Sequence, residues 1–144
     1  MGPDVITSDI DLKFIQTSFS FNSENQSQLA VDVFEHIKQK YSNIKESKDI
    51  KAPDGFIHAY DITKIFIEAV KMIKFTNDIK INRMLIREAM ENIEKPVDGL
   101  IKTYIKPFSK YSSNNSFAHE ALNIDDFTMA KFISDGSIEV INGE

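Results

Sequence analysis

Apolar and polar positions alternate along this chain in two rhythms, one of strands and one of helices. Asp11 to Ser20 reads DLKFIQTSFS, in which Phe14, Ile15 and Phe19 with Thr17 have strand composition. The polar run from Ser20 to Gln28 reads as a loop carrying a helix cap at Ser23 or Asn25. Ala30, Val33, Phe34, Ile37 and Tyr41 then recur every three or four residues, which predicts a helix with Asp32, Glu35, Lys38 and Gln39 on its outer face. Ser42 to Lys51 is charged and without a strong period, as in a surface connection. Ala52-Pro53-Asp54-Gly55 signals a turn.

A second helix is predicted from Phe56 to Lys74. Ala59, Ile62, Phe66, Ala69, Val70 and Ile73 form its broad apolar face, widened by Ile57, Tyr60, Ile65 and Ile67. So wide a face belongs to a well-buried helix, with Phe66 in the core. After the break at Asn77 and Asp78, Asn82 is the predicted cap of a third helix. Leu85, Ile86, Ala89, Met90 and Ile93 face inward, and the helix ends near Lys95 because Pro96 disfavours helix in the residue before it. Asp98-Gly99 reads as a turn, Leu100 to Ile105 as a strand and Pro107 to Asn123 as a long loop. Phe127 to Ile133 alternates, and Ser134-Asp135-Gly136 closes a hairpin onto Ser137 to Ile141. Strand, helix, helix, helix, strand and hairpin make an α/β chain, expected to pack in three layers.

Composition narrows the function. The 144 residues suit one domain or a piece of a larger one, with 42% apolar and 27% charged residues. A net charge of −5 with dispersed lysines lacks the basic stripe of a nucleic-acid binder. There is no cysteine, which excludes disulfides and thiolate metal sites. No apolar run approaches the roughly 20 residues of a membrane span. Met1 to Asp9 has neither the basic start nor the apolar stretch of a signal peptide, so an exported natural protein would make this chain a fragment or a trimmed form of it.

Candidate chemistry is sparse. His36 beside Glu35 reads as a solvated helix residue, and His58 as a packing residue or a cleft residue. His119 with Glu120 is weak evidence for acid–base work. Asp125 and Asp126 are adjacent at the start of a strand, where neighbours point to opposite faces, against a shared-proton dyad. The phosphate-loop, dinucleotide, nucleophile-elbow and zinc-protease motifs are all missing. No catalytic residue, metal ligand or cofactor is therefore expected. Gly55 permits close backbone approach at a helix start, and Phe56 beside it either caps the core or walls a ligand cleft.

The segment DGFIHAYDITKIFIEAVK resembles the Tyr-Asp stretch and apolar helix of type I periplasmic solute-binding proteins, the extracellular ligand-binding receptors of the leucine/isoleucine/valine-binding group. The neighbouring segments agree in order: Leu12 to Phe19 with the strand before a gating loop, VFEHIKQKY and IREAMENI with two family helices, and FTMAKFISDGSIEVI with the closing hairpin. Tyr60-Asp61 and Asp135-Gly136 are the most specific points. The match runs from about Asp11 to Asn142, with residues 1–10 as an extension, and covers only the C-terminal part of such a protein. Lys106 to Glu120 departs from the family, being longer and richer in Ser and Asn.

The resemblance implies a periplasmic-binding-protein type I fold, with crossings between two lobes near residues 12–20 and 100–107. It implies an amino-acid-like small molecule as ligand, an ABC transporter permease as partner and a place outside the cytoplasm. Phe56 matches an aromatic cleft position, and Ser20, Phe21 and Asn22 lie near the gating loop. A sensory domain of the same fold and an unrelated α/β enzyme or interaction domain are the alternatives. Strand edges left by absent family segments favour a homo-dimer. Sedimentation at several concentrations tests this: a dimer is expected, and a clean monomer with covered edges would count against the fragment reading.

Overall fold

The computed structural model describes residues 12–22, 25–134 and 137–141. Asp11, Ser23, Asp135, Gly136 and Asn142, each named above, lie outside the described residues, as do residues 1–10. The described residues divide between two compact units, one from Met1–Ile57 with Ile124–Glu144 and one from His58–Asn123.

In the first unit, β1 (Lys13–Thr17), β4 (Phe127–Phe132) and β5 (Ile138–Ile141) form an antiparallel sheet in the order β1-β4-β5. The register sets Phe14 opposite Ala130 and Gln16 opposite Thr128, while β5 places Val140 opposite Ala130 and Ile138 opposite Phe132. Residues directly opposite each other share a face. One face of the sheet therefore carries Phe14, Gln16, Ala130, Phe132, Ile138 and Val140. Phe14 and Phe132 stack at 4.9 Å between ring centres, and Ala130 is fully buried. The other face exposes Ile15, Phe127 and Met129. The antiparallel β4–β5 pairing is the one expected from the alternation, and Ile133 N–H donates to the Ser137 carbonyl at its end.

Helix α1 (Gln28–Lys40) belongs to the same unit. Its cap is Ser27, whose Oγ accepts from the Ala30 N–H at 3.2 Å, rather than Ser23 or Asn25. Ala30 and Ile37 are buried and Val33 and Phe34 half-buried, as the spacing predicts. Tyr41 sits at the C-cap and stays exposed.

Helix α2 runs from Pro53 to Lys71, and its residues up to Ile57 fall in the first unit. The expected turn at Pro53-Asp54-Gly55 is the first turn of this helix. Proline suits that position, because its fixed φ is helical and no N–H is needed there. Gly55 makes no close backbone approach: an added Cβ would meet only the Ala52 Cβ, at 3.8 Å. The buried face also differs from the one expected. Ile57, Asp61, Ile65 and Ala69, four residues apart, are at most 2% exposed, whereas Ile62, Phe66 and Ile67 are more than 40% exposed. Phe66 is thus not a core residue, and α2 is buried along a stripe rather than all round.

Asp61 causes the rotation. Its carboxylate accepts from Leu100 N–H at 2.6 Å, Ile101 N–H at 3.0 Å and the Tyr104 hydroxyl at 2.8 Å. A buried carboxylate needs this number of donors to offset its lost hydration. The donors come from a tight hairpin of β2 (Val97–Asp98) and β3 (Thr103–Tyr104), closed by Gly99 N–H on the Lys102 carbonyl. Leu100 to Ile105 is therefore a hairpin arm and its turn, not one strand. Gly99 is required there, since a Cβ would stand 2.6 Å from Asp61 Cγ and from the Tyr104 ring.

Helix α3 (Ile79–Glu91) is capped by Asp78, which accepts from Lys80 and Ile81 N–H. Asn82, the expected cap, instead exchanges two 2.8 Å bonds with the Thr76 backbone. The helix ends at Glu91, four residues before Lys95. Ala89 and Ile93 join Ile65, Ala69, Val97 and Tyr104 in the core of the second unit, with Ile73 and Met90 packed on it.

Urea denaturation of single variants tests this assignment. Ile65→Ala should cost about 2–5 kcal/mol. Asp61→Ala, which strands three donors, should cost about 3–5 kcal/mol. Phe66→Ala should cost less than about 1.5 kcal/mol. A Phe66 loss equal to that of Ile65 would put the buried stripe on the wrong side of α2.

Candidate functional site

Beyond Thr17 the chain leaves the sheet, with Ser18 N–H on the Asp126 carbonyl at 2.8 Å, and crosses the first unit as Phe19-Ser20-Phe21-Asn22. This segment is tied on several sides. Ser20 Oγ accepts from Asn22 N–H at 3.2 Å. Asn22 Nδ2 donates to the Ile138 carbonyl at 3.2 Å, and Ser47 Oγ donates to Asn22 Oδ1. Gln26 Nε2 donates to the Phe21 carbonyl. The Phe21 ring is buried against Phe19, Phe34 and Phe56, at 5.0, 5.5 and 6.0 Å between centres.

This segment borders a cavity of about 570 Å³ within the first unit. Its floor is the apolar sheet face, through Phe14, Gln16, Phe132 and Ile138. Its walls are residues 19–22, the 47–52 connection and the first turn of α2. The volume is that of a small-molecule site, and an apolar lining with few polar groups is typical of one. Ser20, Phe21 and Asn22 all line it. Phe56 does not; it backs the wall by packing on Phe21. Asn22 spends its amide on Ile138 and Ser47, so its part is to hold the wall in place.

Sequence reasoning missed the polar members. Gln16 is 4% exposed, and among the described residues its Nε2 has no hydrogen-bond partner. The available signal was its place: two residues after Phe14 on a strand, it shares the inward face. Asp54 accepts from the Thr17 hydroxyl at 3.4 Å. The first intrahelical bond of α2 is Phe56 N–H to the Ala52 carbonyl, and alanine offers no capping oxygen. Lys48, whose Nζ is paired with Glu46 at 2.8 Å, and Lys51 also line the wall.

The histidines lie elsewhere. His36 and His58 are exposed, so His58 neither packs in the core nor lines the cavity. His119 pairs with Glu91 at 3.1 Å and not with Glu120. Among the described residues no group of three or more His, Asp or Glu is placed to hold a metal ion, and no helix is long and apolar enough to cross a membrane.

No family model matches this sequence, and no curated protein matches it. Among solved structures, the chain is similar to an extracellular ligand-binding receptor from Rhodopseudomonas palustris HaA2. The identity is 14%, the TM-score 0.47, and the match covers 91% of this chain but only 34% of that one. The chain thus spans about a third of the receptor's length, and a likeness of this size says nothing about ligand or partner.

The connection that walls the cavity is pH-sensitive at Asp49. Its Oδ2 accepts from Glu46 N–H at 2.9 Å and Lys45 N–H at 2.8 Å, and these bonds to the charged form, that from Glu46 first, hold its carboxyl below the ordinary value of 3.8. A depressed carboxyl pKa gives stability that is present above the ordinary value and lost as pH falls through the lowered one. The Asp49 carboxyl signal in an NMR titration should have its midpoint below 3.8. A midpoint at or above that value would mean that the turn does not bind the carboxylate.

Proposed function

We propose that this chain is a small-solute-binding module and that the cavity beside β1 is its ligand site. The observation that carries the reading is the cavity itself: about 570 Å³, mostly apolar, with a few polar side chains in its lining. The segment singled out by resemblance, Ser20 to Asn22, forms part of its wall. In the fuller form of this reading the chain is the C-terminal segment of a three-layer, type I periplasmic solute-binding protein. Its ligand is an amino acid or similar molecule, its partner an ABC permease, and it works outside the cytoplasm. The family's crossings fall near residues 12–20 and 100–107, and the edges β1 and β5 pair with a second copy. Phe56 supports the cleft from behind Phe21.

A thermal-shift panel of the twenty amino acids and simple organic acids tests the reading on the full chain. A ligand at about a hundred times its Kd adds roughly 2.7 kcal/mol of stability and raises Tm by several degrees. At least one apolar member should do so, and Ser20→Trp, which fills the cavity, should abolish the shift. No response to any member, or an undiminished response in Ser20→Trp, would refute the site.

A further inference from the structure

Helix α2 is apolar on two sides, and the fold buries only one of them. At about 100° per residue, Ala59, Ile62, Thr63, Phe66 and Val70 share one arc of the helix, roughly opposite the buried stripe of Ile57, Asp61, Ile65 and Ala69. The arc falls wholly within the second unit. Ile62 is 45% exposed, Phe66 41% and Ile67, at the border of the arc, 43%. Ala59 and Thr63 are exposed as well, and Val70 is half-buried. No charged residue falls within the arc. Its one polar side chain is already satisfied, since the Thr63 hydroxyl donates to the Ala59 carbonyl at 2.6 Å. A helix with apolar residues all round is normally covered all round, and a contiguous apolar patch marks an interaction site.

We infer that this face of α2 receives the same face of a second copy, the two helices antiparallel about a two-fold axis at Phe66. The surface that covers the arc must be apolar, uncharged and of helix length, and the chain itself supplies one. In a two-fold contact each residue meets its counterpart across the axis. Ile62 and Val70 stand four residues either side of Phe66, so the axis sets Ile62 of one copy on Val70 of the other, with the two Phe66 rings at the centre. The charges on this stretch, Lys64, Glu68 and Lys71, project from the far side of the helix, so no like charges meet at the seam. Glu68 and Lys71 pair with each other at 2.6 Å, and the helix lacks the dense basic rim of one that lies on an anionic membrane. From Ala59 to Val70 the seam runs for roughly 16 Å at 1.5 Å per residue. Such a contact stays below about 1,200 Å² in total, the size class of transient association and not of an obligate dimer. The monomer therefore keeps its fold, and the dimer forms and parts with concentration. The face shares no residue with the cavity lining or with β1 and β5, so the inference stands apart from the ligand-site reading and from pairing of strand edges.

Sedimentation equilibrium of the full chain and of Phe66→Glu tests it. The native chain should pass from monomer to dimer as concentration rises. Phe66→Glu, which sets two like charges together at the axis, should keep its circular dichroism and weaken association by about thirtyfold or more, the loss expected of a central anchor. A second measurement leaves the apolar anchor in place. The chain has no cysteine, so Thr63→Cys takes a single nitroxide label. Mixed with unlabelled ¹⁵N chain, it should broaden the amides of Ala59 to Val70 in the other copy. A native chain that stays monomeric at every concentration would overturn the inference. So would a dimer untouched by Phe66→Glu, or broadening confined to β1 or β5, which would assign association to the strand edges. Binding of the native chain to vesicles of phosphatidylcholine and phosphatidylglycerol, lost in Phe66→Glu and without any dimer in solution, would overturn it in favour of a lipid surface.

Discussion

A slip of β1 by one residue against β4 would turn Phe14 and Gln16 away from the cavity and put Ile15 in their place. Side chains alternate with period two, so register decides the whole composition of a face. The pairing of Phe14 with Ala130 and Gln16 with Thr128 is therefore the constraint on which the first unit depends. It sets the aromatic floor through the Phe14–Phe132 contact, and it delivers the chain to Phe19–Asn22 at the cavity wall. In this register Ile15 is 70% exposed, while Gln16 is 4% exposed. A β-branched apolar residue faces out and an amide faces in.

The second unit turns on a different device, a charge used as a core element. Asp61 occupies the middle of the buried stripe of α2 and gathers two backbone N–H groups and one hydroxyl from the 99–104 hairpin. Each bond satisfies a donor of the short hairpin, which has only two paired residues per strand. Gly99 follows from it, since the carboxylate occupies the space that a Cβ would need.

The sequence is legible where the signal is local. The faces of α1 and α3 follow from spacing alone, and so does the β4–β5 alternation. Caps were displaced by a few residues, because several Ser, Asn and Asp residues near each start compete and only geometry chooses between them. Spacing puts the buried face of α2 on the side of Ile62 and Phe66 because Asp61 counts as polar, whereas the buried stripe runs through Asp61. Reading it correctly requires donors that lie 39 to 43 residues away. The same distance hides the hairpin, which no local pattern in residues 100–105 specifies. For the site, family resemblance led to residues 20–22, and nothing local led to Gln16. A lone amide within FIQTS reads as an outward strand residue until its neighbours across the sheet are known.

On this reading the floor and walls beside β1 receive a ligand. The most direct measurement follows the Ser20 and Gly55 backbone amides, both in the cavity lining, by ¹⁵N–¹H correlation as the amino acid that most raises Tm is added to the full chain. Both should shift progressively and saturate together. Saturable shifts confined to residues 58–123, with Ser20 and Gly55 unmoved, would contradict a ligand in this cavity.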